Sequence, residues 1–443
     1  MLFSGIFSDQ AFLDLKTTFL MQVLSFLHEF LFALICLAST QSVICYPDKR
    51  VIRDLVWIFL IYIGGQKYML YRRLGKTDEK VSILGFGTMR LPTIGGDDTR
   101  VDEEKAVQMI RCAIDSGVNY IDTAYPYHGG MSESVLGKAL EDGYREKIYL
   151  ATKLPSWLVT SREYMDRFLN EQLERLKTDY IDFYLIHALN RDFWDLVKKH
   201  GIFDFLDSAL NEGKIKYTGF SFHDNLETFK EIVDSYPWTL CQIQYNFMDE
   251  NFQAGKEGLL YAASKGLGVV IMEPMRGGYL VSKVPPEVQE IWDSAGTQRS
   301  PVEWSLRYLW DYPEINVVLS GMSDMKHVKD NVKLASEGFP ESLTEEERKL
   351  ISRVKEVYMA KTKVNCTGCQ YCMPCPSGVN IPENFKYLNN AEMFDNAEGE
   401  KALYSGLEGQ ASNCTECGQC EEKCPQKTPI REMLKEVVKL FGK

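Results

Sequence analysis

The chain has 443 residues, 45% of them hydrophobic, which is enough for one large core with an appendage or for roughly two to three domains. Its formal net charge of −12 excludes the basic surface that nucleic-acid-binding proteins need, so we expect no nucleic-acid partner. Eight of the twelve cysteines lie between Cys366 and Cys424. A secreted disulfide scaffold would instead spread its cysteines through a small domain. We therefore expect metal ligands and a reducing, cytoplasmic location.

Residues 1–68 differ from everything that follows. Residues 19–38 form an apolar run, and a second apolar run at 56–63 is too short to span a bilayer. One interpretation of this extension is a membrane anchor that leaves the rest of the chain in the cytoplasm. The other, which we favour, is a natural start at Met69, where an ordinary soluble sequence begins. Membrane contact is expected only if residues 1–68 are native.

From about Val81 onward, short β-rich apolar runs alternate with stretches of helical periodicity. The predicted strands are 81–84, 120–121, 148–152, 183–186, 217–220, 240–244, 269–272 and 316–319. The predicted helices are 103–116, 132–141, 162–176, 203–212, 226–235, 258–265, 302–310 and 325–335. Such alternation indicates right-handed parallel units, and eight of them over about 250 residues predict an α/β fold of the (β/α)₈ TIM-barrel type. A doubly wound open sheet is the alternative, although no Gly-x-Gly-x-x-Gly motif follows the first strand.

Titratable residues follow three successive predicted strands. Asp122 and Tyr127 come after the second strand, Lys153 after the third, and His187 ends the fourth. Each alone is more often a turn residue, an ion-pair partner or a satisfied core residue. Catalytic groups of TIM barrels lie at the carboxyl ends of the strands, so the four together predict a site for proton chemistry.

With these residues the sequence resembles the aldo-keto reductase family, over about residues 70–340. The matching segments are 84–88, 121–124 with Tyr127, 151–153 and 184–187. The resemblance implies a barrel that reduces a small carbonyl, or oxidises an alcohol, with NAD or NADP. It also implies that Tyr127 is the general acid, that Lys153 and Asp122 tune it, and that His187 orients the substrate carbonyl.

The chemistry of these groups agrees with those roles. Hydride addition needs a proton on the developing alkoxide, and a free tyrosine with a pKa of about 10 is a poor acid at neutral pH. A lysine ammonium favours the phenolate, so we expect Lys153 to lower the pKa of Tyr127. Asp122 is expected to keep Lys153 charged, and His187 to donate a hydrogen bond to the same oxygen.

The same resemblance implies a nucleotide site in the loops after the strands. The candidate residues are Gly87, Thr88, Ser221, Gln242, Glu273, Arg276, Ser320, Gly321, Ser323, Lys326 and Asn331. Several positions depart from the family pattern, since Phe222 replaces the usual Asn and residues 272–276 stand where a Tyr-Ser-Pro pattern is common. A helix start after the last strand suits a phosphate, but the usual Lys-Ser pair is absent there. The choice among NAD, NADP and a flavin therefore stays open.

Two cysteine motifs follow the barrel. They are Cys366-x-x-Cys369-x-x-Cys372-x-x-Cys375-Pro and Cys414-x-x-Cys417-x-x-Cys420-x-x-x-Cys424-Pro. The second motif has the spacing of bacterial ferredoxins, in which the last cysteine ligates the other cluster. By that pattern, Cys366, Cys369, Cys372 and Cys424 bind one [4Fe–4S] cluster, and Cys414, Cys417, Cys420 and Cys375 bind the other. Two Cys₄ zinc sites are the alternative, although paired triple-cysteine runs with proline favour iron–sulfur.

The spacer between the motifs, residues 376–413, includes a helical stretch at 381–394. It resembles the helical ferredoxin domains of fumarate-reductase-like iron–sulfur subunits. A predicted helix at 344–359 joins it to the barrel, so we expect a barrel domain at 69–340 and a linker helix with a 4Fe–4S domain at 341–443.

The tail motifs, with residues 219–223 and 272–274, also resemble an iron–sulfur branch of the aldo-keto reductase family. Nicotinamide transfers hydride whereas clusters pass single electrons, so coupling them needs an intermediary such as a flavin. Three roles remain open: structural clusters, a flavin in the barrel, or a substrate that accepts single electrons. We expect an oxidoreductase with a redox protein as partner. A non-catalytic electron-transfer or regulatory subunit is the alternative.

Overall fold

The structure, a computed structural model, describes residues 69–443 apart from 367, 369, 370, 425 and 443. Both interpretations of residues 1–68 therefore lie outside the described residues, as does the predicted ligand Cys369. Within the described part of the chain, no helix is both long and apolar enough to cross a membrane.

The strands form a hairpin followed by a closed barrel. They are β1 (Tyr71–Arg73), β2 (Lys80–Ser82), β3 (Leu84–Gly87), β4 (Tyr120–Asp122), β5 (Tyr149–Leu154), β6 (Ile181–Leu189), β7 (Ile215–Phe222), β8 (Leu240–Gln244), β9 (Gly268–Met272) and β10 (Ile315–Ser320). Strands β3 to β10 pair in parallel in chain order, and β10 closes the barrel against β3. The predicted TIM barrel is confirmed, and the open-sheet alternative is wrong.

Helices cover the barrel and build the tail. They are α1 (Glu103–Asp115), α2 (Met131–Ala139), α3 (Arg162–Leu176), α4 (Arg191–Lys199), α5 (Ile202–Asn211), α6 (Leu226–Ser235), α7 (Gly255–Ser264), α8 (Tyr279–Ser282), α9 (Pro286–Asp293), α10 (Pro301–Trp310), α11 (Met325–Ala335), α12 (Glu345–Ala360), α13 (Ile381–Met393), α14 (Ala397–Tyr404), α15 (Gln419–Lys423) and α16 (Ile430–Phe441). Short 3₁₀ turns occur at Thr88–Arg90, Tyr127–Gly130, Arg145–Lys147, Ser156–Leu158, Arg276–Gly278 and Ala411–Asn413. Polar caps start many of the helices: the Thr344 hydroxyl accepts from Glu347 N in a capping box that opens α12.

The first predicted strand, 81–84, is wrong in one respect. The predicted strand contains parts of two separate strands. Val81 belongs to β2, which pairs with β1 in an antiparallel hairpin, and Leu84 begins β3 of the barrel. Leu74 and Val81 of this hairpin are fully buried in the same apolar cluster as Tyr120 and Phe183 from the barrel strands. The hairpin therefore closes the amino-terminal end of the barrel and leaves the carboxyl end open.

The tail is helical, as predicted. Helices α13, α14 and α16 enclose a small apolar core of its own, with Phe385, Tyr404, Leu434 and Phe441 all buried. Helix α12 lies on the barrel side, since Leu350 and Val354 share a second apolar cluster with barrel residues. The helices α4, α8, α9, α14, α15 and α16 were not predicted from the sequence, although α4 and α16 are clearly amphipathic.

Candidate active site at the carboxyl end of the barrel

The catalytic candidates come together because three neighbouring strands end side by side. Asp122 of β4 is in register with Ala151 of β5, and Lys153 of β5 is in register with Leu185 of β6. Tyr127 begins the 3₁₀ turn that follows β4, and His187 lies near the end of β6. All four side chains that the sequence singled out therefore lie at one end of the barrel.

Lys153 and Asp122 form a buried ion pair. The Lys153 Nζ donates to Asp122 Oδ1 at 2.7 Å and to the Thr123 carbonyl at 2.7 Å. Lys153 is completely buried and Asp122 is 2% exposed. Burial alone lowers the pKa of Lys153, but the charge of Asp122 and the Tyr127 phenol oppose it, and the pKa is raised overall. We therefore treat Lys153 as an ammonium and Asp122 as its carboxylate counter-ion.

Tyr127 lies beside this pair. The Lys153 Nζ is 5.1 Å from the centre of its ring, and the His187 ring is edge-on to it at a centroid distance of 5.9 Å. Burial raises the pKa of Tyr127, and Lys153 only partly offsets that rise. The expected effect of Lys153 is present, since its charge lowers the pKa of Tyr127, but desolvation of the phenolate is larger and the pKa is raised overall.

His187 is held through its backbone and leaves its ring available. Its carbonyl accepts a hydrogen bond from Ser156 Oγ at 2.6 Å, and the next residue, Ala188, has a φ of 53° and donates its N–H to Ser221 Oγ at 2.7 Å. The His187 Nδ1 is buried without a hydrogen-bond partner. Burial, with the charges of Lys153 and His223, holds the pKa of His187 well below 6.5, so the imidazole is neutral.

Two side chains near the site were missed from sequence because they belong to loops. The Trp157 ring lies 5.2 Å from the His187 ring and forms an aromatic wall beside it. His128 follows Tyr127 with a φ of 54°, and its buried ring accepts from Leu91 N at 3.2 Å. That ring joins the loop after β4 to the loop after β3 and so fixes the position of Tyr127. Both residues closely follow predicted strands, and this position in the sequence is the feature by which they could have been identified as site residues.

Two of the residues predicted to bind the nucleotide have polar groups that fit hydrogen bonds to a carboxamide. Gln242 is 2% exposed, and its Oε1 has no hydrogen-bond partner, while its Nε2 lies 3.8 Å from Met272 Sδ. Ser221 is also buried at the end of β7, adjacent to Gln242 in register. An orphaned buried acceptor beside a hydroxyl fits an amide N–H donor, so these residues fit the carboxamide of a nicotinamide.

Thr88 and Gly87 have local structural contacts. The Thr88 hydroxyl donates to the Asp122 carbonyl at 3.1 Å and accepts from Ser132 Oγ at 2.7 Å, so it supports the strand that carries Asp122. A Cβ on Gly87 would lie 3.6 Å from the Ser320 carbonyl, an ordinary contact. A nucleotide role for either residue stays a prediction.

The predicted nucleotide residues in β10, in α11 and in the loop between them differ in burial. The Asn331 amide donates to Ser320 Oγ at 3.0 Å, and both residues are buried. Ser323 and Lys326 are exposed, and Lys326 forms an ion pair with Asp330. The start of α11 is already capped, since Asp324 Oδ1 accepts from Lys326 N at 2.8 Å. This helix start is less suited to a phosphate than the sequence suggests, because a carboxylate already accepts from it.

The remaining candidates lie in the loops after β9 and β10. Glu273 accepts through its carbonyl from Asn246 Nδ2 at 3.0 Å, and Arg276 Nε lies 3.3 Å from Asp249 Oδ2. Gly321 is covered by a side chain that the sequence did not identify: a Cβ there would meet Arg90 Cγ at 2.6 Å. Arg90 therefore lies over the loop after β10, at the open end of the barrel.

Most of the described thiols pack against the tail core. Cys366, Cys372, Cys375, Cys414, Cys420 and Cys424 are partly buried against it, and Cys417 is exposed. The Glu416 N–H donates to Cys414 Sγ at 3.4 Å, a bond that suits a cluster-binding thiolate. Among the described residues, which exclude Cys369, no three ligand-type side chains converge closely enough to hold a metal ion. The assignment of thiols to individual clusters therefore stays a prediction.

The fold and the site together define a TIM-barrel oxidoreductase with a thiol-rich helical tail. Residues 83–352 match the aldo/keto reductase family, and residues 365–428 match the 4Fe-4S dicluster domain. The chain therefore belongs to the aldo/keto reductase family and carries a 4Fe–4S dicluster domain. The resemblance stated from sequence is confirmed in both parts, and iron–sulfur is supported over zinc.

Relatives and solved structures match the barrel. An L-galactose dehydrogenase from Arabidopsis thaliana is 30% identical over 290 residues, which is 60% of this chain and 88% of the relative. The uncharacterized oxidoreductase YqkF of Bacillus subtilis is 28% identical over 313 residues, 64% of this chain and 95% of the relative. The holo form of an aldo-keto reductase from Bacillus halodurans aligns with a TM-score of 0.55 and 31% identity, covering 65% of this chain and 96% of that one.

Proposed function

We propose that this protein reduces a small carbonyl compound to an alcohol, or catalyses the reverse reaction, at the open end of the barrel. The observation that carries the proposal is the buried Lys153–Asp122 pair at 2.7 Å beside Tyr127, with the His187 ring, whose buried Nδ1 has no hydrogen-bond partner, packed edge-on against the Tyr127 ring. A bound nicotinamide nucleotide supplies the hydride. NAD and NADP both remain candidates, because the carboxamide contacts at Ser221 and Gln242 are common to the two.

In this mechanism, the Tyr127 hydroxyl holds a proton and gives it to the carbonyl oxygen as that oxygen becomes an alkoxide. The Lys153 ammonium stabilises the phenolate that remains, and Asp122 keeps that ammonium charged in a buried position. Neutral His187 donates an N–H to the same oxygen and orients the substrate. Trp157 forms an apolar wall beside His187 and favours a substrate with an apolar group next to its carbonyl.

The acid–base groups predict the pH dependence of the reaction. Since the pKa of Tyr127 is raised and that of His187 lies well below 6.5, neither group titrates between about pH 7 and pH 9. We expect kcat/KM for NADH- or NADPH-dependent reduction of a carbonyl panel, measured from about pH 6 to about pH 9, to show no inflection from either group. An inflection near pH 6.5 that persists in a His223→Gln variant would contradict the neutral state of His187. Absence of turnover with every carbonyl and both nucleotides would refute the proposed function.

We further propose that the tail binds two [4Fe–4S] clusters and exchanges single electrons with a redox protein, in the cytoplasm. Three features support this: the ferredoxin spacing, the dicluster match over residues 365–428, and the exposure of Cys417 at the surface. A flavin is the intermediary we expect if the clusters exchange electrons with the barrel. The division into a barrel at 69–340 and a tail at 341–443 is part of this proposal, with α12 as the joining helix.

Metal and cofactor analysis tests the tail directly. Protein purified without oxygen should contain about eight iron and about eight sulfide per chain, as expected for two [4Fe–4S] clusters. It should contain little zinc. About two zinc ions per chain would overturn the cluster proposal, and extraction of stoichiometric flavin would identify the one-electron intermediary.

A further inference from the structure

The loop after β9, residues 273–278, has an unusual backbone, and we call it the mouth loop. Glu273 has a φ of 54°, Arg276 of 46°, Gly277 of 65° and Gly278 of 98°. Left-handed conformations at residues other than glycine persist only where the surroundings hold them. The contacts of the mouth loop therefore determine whether it keeps this shape.

The barrel holds the beginning of the mouth loop. The Asn246 amide donates to the Glu273 carbonyl at 3.0 Å, and Asp249 Oδ2 lies 3.3 Å from Arg276 Nε. Asn246 and Asp249 are themselves buried and joined by a 2.8 Å hydrogen bond. Just after the loop, Leu280 is also buried in an apolar cluster with Phe247 and Trp304 of the barrel.

The tail adds a second set of contacts at the end of the mouth loop. Directly after the mouth loop, the Tyr279 phenol donates to the carboxylate of Glu400, which is completely buried in α14. Lys283 Nζ, at the end of α8, donates to Asn396 Oδ1 at 3.3 Å. Two polar contacts thus fix α8, and with it the end of the mouth loop, to the start of α14.

Apolar packing reinforces the same junction. The Tyr279 ring lies 5.1 Å from the Phe394 ring, and Leu280, Met393 and Phe394 are buried in one apolar cluster. Arg276 Nη1 lies 3.6 Å from Met393 Sδ, so the tail also contacts the mouth loop itself. The barrel and the tail therefore share one apolar cluster at this junction.

The mouth loop also borders the catalytic groups. The Glu273 carboxylate is close enough to affect the Tyr127 phenol electrostatically. A Cβ on Gly277 would lie 3.5 Å from Arg90 Nη2, and Arg90 covers Gly321 in the loop after β10. The loop that the tail supports therefore forms one edge of the opening in which we place the nucleotide.

We propose that the tail is a structural part of the nucleotide site. Glu400 and Phe394, acting through Tyr279, hold the mouth loop in the shape that binds the nicotinamide nucleotide. This inference rests on the proposed function, since it takes that nucleotide as the ligand. Glu400 and Phe394 are positioning residues, and both lie in the spacer between the two cysteine motifs. Any change in the packing of the iron–sulfur domain is thereby transmitted to nucleotide affinity.

The test uses the full-length protein with its clusters and compares Tyr279→Phe and Phe394→Ala with the unchanged chain. Both variants should raise the Kd for NADH and NADPH, measured by quenching of tryptophan fluorescence, by about tenfold, because a hydrogen bond to a charged group is lost in one and packing in the other. The kcat at saturating nucleotide should stay unchanged. Amide hydrogen exchange should become faster in residues 273–283.

Tyr236→Phe is the matched control, since it also removes a phenol–carboxylate hydrogen bond, to Asp207 at 2.7 Å, on the outer side of the barrel. It should change neither Kd nor exchange in residues 273–283. Unchanged Kd in both test variants would overturn the inference, even if exchange became faster. A wild-type protein that binds neither nucleotide would refute the proposed function instead. Faster exchange in residues 273–283 of the variants would then still support the positioning of the mouth loop by the tail.

Discussion

Tyr127→Phe should lower kcat for carbonyl reduction by about 10²–10⁴-fold, the usual contribution of a positioned general acid. The substitution removes the Tyr127 hydroxyl and leaves in place the ring that lies beside Lys153 and His187. The Kd for NADH or NADPH should change by less than about threefold, because the carboxamide contacts that we propose lie at Ser221 and Gln242. Single-turnover kinetics with saturating nucleotide, followed by loss of nicotinamide absorbance, measures the chemical step directly.

Tyr125→Phe provides the control for this prediction. Tyr125 lies two residues earlier, and its hydroxyl donates to Glu171 Oε2 at 2.9 Å on the helix side of the loop. Its loss should leave the single-turnover rate within about threefold of wild type, since its hydroxyl does not face the barrel opening. Equal losses in both variants would mean that the loop after β4 is disturbed in general, and the role of Tyr127 as the acid would then be unsupported.

The barrel was predictable because its signals are local. Strand β8 and helices α3, α6 and α11 have the predicted bounds, since each is a short β-rich run or a clear helical period flanked by polar residues. The first strand was not predictable in the same way. Val81 and Leu84 belong to one apolar run, and only the tertiary fold shows that Val81 lies in the closing hairpin.

The candidate site was predictable in its members but not in its electrostatics. Asp122, Tyr127, Lys153 and His187 are all at strand ends, and the barrel topology brings strand ends together. The direction of the Tyr127 pKa shift depends on how many atoms surround the phenol, which spacing along the chain does not reveal. Burial raises this pKa against the effect of Lys153.

Contacts between distant segments were outside the reach of sequence reasoning. Tyr279 and Glu400 are 121 positions apart, and each is unremarkable in its own segment. Lys326 was selected because it is basic and follows the last strand, but it is paired with Asp330 on the surface of α11. The position of a loop side chain such as Arg90 depends on several strands at once. No local sequence pattern therefore predicts that it lies at the site.

Lys153→Met should affect both catalysis and folding. Methionine has a similar length but no charge, so Asp122 is left as a buried carboxylate without its counter-ion. Breaking a buried pair in this way costs about 3–5 kcal/mol in free energy of unfolding. Activity should fall by at least about 10²-fold, since no ammonium remains to stabilise the Tyr127 phenolate. Urea unfolding and single-turnover kinetics on the same preparation measure the two effects.

The instability of Lys153→Met should depend on pH. Burial raises the pKa of Asp122 even with Lys153 present, and removal of the ammonium raises it further. A folded-state pKa above the unfolded value means that the folded state binds more protons, so stability is highest at low pH and is lost as pH rises through the folded pKa. The deficit relative to wild type should therefore be smaller at pH 5 than at pH 8.

Two further variants separate charge from packing. Lys153→Met combined with Asp122→Asn removes the unpaired carboxylate, so the double variant should regain most of the lost stability and none of the activity. Arg145→Met breaks another largely buried pair, with Asp182 at 2.7 Å, near the amino-terminal start of β6. It should lose stability while keeping its catalytic rate. If the double variant is no more stable than Lys153→Met alone, the cost arises from packing at position 153, and Asp122 does not act there as a buried counter-ion.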